Sequence, residues 1–160
     1  MIQLQESARI MMQYLSVHDL VWINTTLVGK PLPFDYQRLE EAMAAQYSYG
    51  KSTNVPLQAA NLLDILVSKR PFAYGNRRTG FCAVTAFLNA NGYALKVGDE
   101  EAARIMFDLL SGQISALQAI ELLSEPAPIG LRPGATLRSL LTHIFNAHAD
   151  AIQRLREGDE

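Results

Sequence analysis

A single cysteine, Cys82, among 160 residues excludes an internal disulfide, and with His18, His143 and His148 it gives no zinc-ligand spacing. His143 and His148 stand five apart on an expected helix, on different faces rather than at the i, i+4 spacing of a metal pair, so no metal is assigned to them. Long apolar runs are missing: none approaches the roughly 20 residues of a membrane span, so no membrane association is expected. Met1 to Glu6 lacks the basic and apolar regions of a secretory leader, which makes the cytoplasm the expected location. An excess of positive charge is also missing. Fourteen Lys and Arg against sixteen Asp and Glu leave a net charge of −2, and without a basic excess no nucleic-acid partner is expected. The one local basic cluster is Lys69, Arg70, Arg77 and Arg78.

What the chain does have is apolar residues at helical spacing. At 49% apolar and 19% charged it is long enough for one well-buried domain, and the expected fold is all-α. Leu4 to about Leu15 has helical periodicity, Ser16 can cap a helix through Leu20, Ile23 and Leu27, and Gly29 to Pro33 ends it. Asp35 caps a helix carrying Leu39, Ala42 and Met43, Tyr49 to Asn54 is a polar turn, and Pro56 opens a helix through Val67. A further helix runs from about Arg77 to Asn91, with Gly92 as its stop, and Tyr93 to Val97 is a short extended candidate. Asp99 opens a helix through Leu110 and Ser115 caps another through Leu123. Residues 125–135 hold three prolines and two glycines and read as a linker or an extended crossing loop. Thr136 can then cap one long helix, within 136–160, whose Leu137, Leu140, Leu141, Ile144, Phe145, Ala149 and Ile152 need cover from the domain at 1–124 or from a partner, including a second copy of the chain.

Between the helices ending near Val67 and beginning near Arg77 lies Arg70-Pro71-Phe72-Ala73-Tyr74-Gly75-Asn76-Arg77-Arg78-Thr79. Gly75 permits close backbone approach, Asn76 carries amide donors, and Arg77 and Arg78 put two permanent cations at a helix start whose N–H groups lack partners. That combination suits phosphate. Taken without any resemblance it is also a plain helix-starting turn, and Phe72 reads as an anchor of the loop in the core.

The decapeptide resembles the Fic/Doc signature: His, any, Phe, any, Asp or Glu, Gly or Ala, Asn, Gly or Lys, Arg, usually then Thr. Phe72, Gly75, Asn76, Arg78 and Thr79 match, and the order of elements from about Ser16 to Leu123 extends the likeness to roughly two thirds of the chain. The resemblance implies a Fic/Doc-like helical bundle with at most a short β-hairpin flap, near Gln46 to Val55, and a phosphate or nucleotide site at Gly75, Asn76, Arg77, Arg78 and Thr79. Such proteins transfer AMP or a phosphoryl group from a nucleotide to a protein hydroxyl. Arg70, however, stands at the general-base His position and Tyr74 at that of the metal-holding carboxylate. Guanidinium stays charged below a pKa of about 12, and a protonated phenol is a poor ligand for a hard cation, so a proton acceptor is lost and Mg²⁺ is not expected. Arg70 adds a further positive charge that would stand in electrostatically for the metal.

The expectation is therefore a pseudo-enzyme or toxin relic that retains a phosphate-binding loop, needs no cofactor and takes ATP or another nucleotide as ligand. Two alternatives stay open: an active transferase drawing a base from His18, Asp19 or Asp64, and a protein-interaction module for an antitoxin-like peptide or protein target. Some Fic proteins also place an inhibitory glutamate against a motif arginine. The nearest text here is Gln153 to Gly158, which would set Glu157 against Arg78.

Overall fold

The structure, a computed structural model, describes residues 12–130 and 135–159, with the side chains of 129 and 130 left aside. The helix expected from Leu4 falls largely outside these residues, and 12–16 run without helical structure. Among the described residues, eight helices and one two-stranded antiparallel sheet follow. Helix α1 (Val17–Val28) starts in a capping box formed by Ser16 and Asp19 and ends at Gly29, whose φ of 90° a side chain would resist. Helix α2 (Tyr36–Ala45) is capped by Asp35, and α3 (Val55–Ser68) by Asn54 with Pro56 in its first turn.

Helix α4 (Asn76–Ala90) is the axis of the molecule. All of its residues except Arg77 and Asn89 are buried, because α1, α3 and the C-terminal helices all pack on it. Gly80 lets α3 come close: a methyl group there would stand 3.3 Å from Val67 Cγ1 and 3.4 Å from Leu63 Cδ1. Strand β1 (Asn91–Leu95) follows, then α5 (Asp99–Leu110) and α6 (Ala116–Leu123), the latter opened by a Ser115/Gln118 capping box.

Two expectations change here. Residues 125–130, which composition reads as linker or crossing loop, belong to strand β2 (Ser124–Gly130), paired with β1 in the register Tyr93↔Pro126, Ala94↔Glu125 and Leu95↔Ser124. Prolines are tolerated because each strand of a two-stranded ribbon needs donors on one side only. The segment at residues 46–54, the place of the implied flap, is a turn that pairs with no strand among the described residues, and the short ribbon described lies elsewhere in the chain.

The single C-terminal helix is in fact two, α7 (Leu137–Ala147) and α8 (Ala149–Arg156), broken at His148. Asp99 explains the break. Its Oδ1 lies 2.9 Å from His148 Nδ1 and its Oδ2 accepts from the amide of Ala151 at 3.2 Å, so a carboxylate from α5 caps α8. The apolar face of these helices is covered by the domain itself: Leu141, Ile144, Ala151 and Leu155 are buried, and Phe145 stacks on Trp22 of α1 with ring centroids 5.7 Å apart. Arg138 lies over the other part of that contact, 4.6 Å from the Trp22 ring and 3.3 Å from Asp19.

Candidate functional site

The loop between α3 and α4 is held from both sides. Residues 33–35 pair with it, Asp35 N donating to Pro71 O (2.8 Å) and Ala73 N to Pro33 O (3.1 Å), while Phe72 is buried edge-on against Phe34. Arg70 takes φ 47°, a left-handed conformation uncommon outside glycine, and its neighbour's carbonyl at Lys69 accepts from Arg38 Nη1. Gly75 at φ 80° turns the chain into α4. A methyl group there would lie 2.9 Å from both Asn24 Nδ2 and Val28 Cγ2.

Two matched motif residues are committed to the loop itself. Asn76 Oδ1 accepts from Phe72 N (3.0 Å) and its Nδ2 donates to Phe72 O (2.9 Å). Thr79, fully buried, donates to Gly75 O (2.7 Å) and accepts from Asn24 Nδ2, which also donates to Tyr74 O. Both set the shape of the turn, and their polar atoms face the backbone.

The start of α4 holds an anion supplied by the chain itself. Arg77 N donates to Asp159 Oδ1 (3.0 Å), Arg78 N (3.2 Å) and Arg78 Nε (3.1 Å) donate to its Oδ2, and Gly75 N donates to its main-chain oxygen (2.9 Å). Asp159 is 2% exposed and Arg78 6%. The free N–H groups and positive end of a helix favour a carboxylate by about 0.3–1 kcal/mol, and by up to about 2 where it is partly buried. The acid opposite Arg78 is thus Asp159 and not Glu157. Gly158, at φ 77°, reverses the chain so that Glu157 stays exposed, its main-chain oxygen accepting from Arg77 Nη1 (3.0 Å), while Asp159 turns inward.

Two cavities flank this cradle. One, of about 380 Å³, is lined by Leu27, Val28, Tyr74, Arg78 and Arg156; the other, of about 170 Å³, by Val67, Arg70, Asn76, Arg77, Leu110 and Asp159. Arg70 and Tyr74 therefore face different spaces. Arg77 also lies 5.8 Å from the centre of the Phe107 ring, which helps keep its head on the α5 side. Cys82, beneath Arg78 in α4, is buried, and the loss of water pushes its thiol well above the usual range. Among the described residues no group of three or more His, Cys, Asp and Glu could hold a metal ion.

Sequence reasoning missed Asp159, Arg156 and Asn24. Periodicity marked none of them, since Asp159 lies beyond the last helix, Arg156 reads as a solvated end-of-helix cation and Asn24 as an ordinary position of α1. Comparison of the chain with protein-family models, with curated proteins and with solved structures gives no match in any of the three.

Proposed function

We propose that this chain is a Fic/Doc-like protein whose loop at residues 70–79 receives the phosphate of a nucleotide or related ligand while its ability to transfer AMP or phosphate to a protein hydroxyl is lost or strongly impaired. The observation that carries the reading is the Asp159 carboxylate at the start of α4, where the amides of Arg77 and Arg78 and the Arg78 guanidinium already satisfy a buried anion. A phosphate asks for the same donors. The C-terminal turn then acts as a competitor that a ligand displaces.

The surrounding side chains favour binding over transfer. Arg70 is a permanent cation, and among the described residues no histidine or carboxylate lines the cavity beside Tyr74. Loss of a general base alone lowers a rate by about 10²–10⁴. The Mg²⁺ implied by the resemblance does not fit this cavity, whose polar lining among the described residues is one phenol and two guanidiniums, so no step is routed through a metal.

Calorimetric titration with inorganic phosphate and with ATP, on the unmodified chain and on Asp159→Asn, tests the reading. The variant is expected to bind about tenfold or more tightly, since a charged competitor for the same donors is gone; equal affinities, or no binding by either protein, reject it. Labelled ATP with candidate acceptor proteins tests the second half. The unmodified chain is expected to transfer no label and Arg70→His/Tyr74→Asp to regain some, whereas ready transfer by the unmodified chain excludes a pseudo-enzyme.

A further inference from the structure

We infer that the cavity between α1, the motif loop and α8 is a metal-independent phosphate clamp closed by two guanidiniums, Arg78 from α4 and Arg156 from the last turn of α8. The inference rests on the loop being a phosphate receptor and adds which residue of the C-terminal helix grips the ligand, and why no divalent ion is needed.

Arg78 is the first half of the argument. Its side chain is 7% exposed, yet only its Nε is paired, with Asp159; among the described residues its terminal nitrogens make no hydrogen bond, and the side chain lines the cavity. Those nitrogens are open to the cavity and not sealed off, since the buried polar side-chain atom left without a partner among the described residues is Asn24 Oδ1, and they stand free to take an acceptor there. Arg156 is the second half. Among the described residues it has no ion pair, whereas Arg154, two residues earlier on the same helix, is spent on Asp150 at 2.9 Å. Two cations thus line one space of about 380 Å³, and among the described residues no carboxylate lines it.

Like charges facing a shared, partly enclosed cavity repel each other, and a divalent cation there is repelled by both. A phosphate dianion reverses the balance. Two planar donor forks match its oxygens, the Tyr74 hydroxyl adds a donor, and Leu27 with Val28 supplies an apolar wall for the organic part of an ester. The charge that sequence reading assigns to Arg70 is delivered by Arg156 instead, because Arg70 opens onto the separate cavity beside Leu110. Arg156 reaches the loop because Asp99, from α5, caps the first turn of α8 and fixes how that helix lies.

The test is calorimetric titration of inorganic phosphate and of ATP, in EDTA and again with excess Mg²⁺, into the unmodified chain, Arg156→Ala, Arg156→Lys and the charge-matched control Arg154→Ala. The clamp predicts binding in EDTA, a loss of about tenfold or more for both ligands in Arg156→Ala, a smaller loss in Arg156→Lys, and affinities within about twofold in Arg154→Ala. Equal effects of Arg156→Ala and Arg154→Ala, a loss confined to ATP, or binding that appears only with Mg²⁺ overturns the clamp. The two failures are separable: an Asp159→Asn protein that gains affinity while Arg156→Ala loses none keeps the receptor loop and removes the clamp, and an Asp159→Asn protein that gains nothing removes the loop reading itself.

Discussion

Gly75 has no room for a β-carbon, which would lie 2.9 Å from both Asn24 Nδ2 and Val28 Cγ2, and its own φ lies at 80°. Gly75→Ala meets both obstacles at once, steric and conformational, and is expected to cost about 1–3 kcal/mol, read as a lowered urea midpoint with unchanged slope. Asn76 shows how a motif residue can be legible in type and not in role. Its amide is expected from sequence to face the ligand, and in the folded loop both of its polar atoms bracket the main chain of Phe72. Asn76→Ala removes both hydrogen bonds and leaves the buried amide and carbonyl of Phe72 unpaired, so a destabilisation of about 1–3 kcal/mol is expected in the same assay. Cys82 offers a quieter test. With its thiol buried and its ionisation pushed upward, it should react with a thiol reagent only as fast as the molecule unfolds, and a rate matching that of an exposed cysteine would contradict the described packing of α4. The linkage has a definite sign: the folded thiol stays neutral where the unfolded one ionises, so its contribution to stability is intact below about pH 8.5 and declines as pH rises beyond it.

Among the elements, the capped starts of α1, α2, α6 and α7 were written locally, in Ser16 with Asp19, Asp35, Ser115 with Gln118, and Thr136. The division between α7 and α8 was not, because its cause is Asp99, some fifty residues earlier in the chain. Nothing in the sequence around His148 forbids a continuous helix. Asp99→Ala should therefore speed amide hydrogen exchange across α8 by about tenfold, the equivalent of roughly 1–2 kcal/mol of lost docking, while the amides of α3 and α4 keep their protection. Equal acceleration everywhere would mean that Asp99 supports the whole fold and not the seating of α8. Strand β2 illustrates the opposite limit. Pro126 and Pro128 argue against a strand by composition, and pairing with β1 overrides that preference at an edge where their missing donors are not needed.

For the molecule as a whole, ligand binding and stability share one free energy, because only the folded chain assembles the cradle. Phosphate at about 100 times its dissociation constant should add about 2.7 kcal/mol, a rise of roughly 5–10 °C in Tm for a chain of this size, and more readily in Asp159→Asn than in the unmodified chain. A Tm that phosphate leaves unmoved in both proteins would contradict the proposed receptor. The sequence by itself determined the helical class, most element boundaries and the loop at residues 70–79, because periodic apolar spacing, capping residues and a Gly-Asn turn before two arginines are local signals that act over a few residues. Only the tertiary structure decided which charges meet there: it set Asp159 in the cradle, turned Arg70 and Tyr74 toward separate cavities, and brought Arg156 beside Arg78. The reason is physical. Electrostatic partners separated by about eighty residues leave no periodicity in the chain, and their meeting is fixed by where α8 packs on α4 and α5.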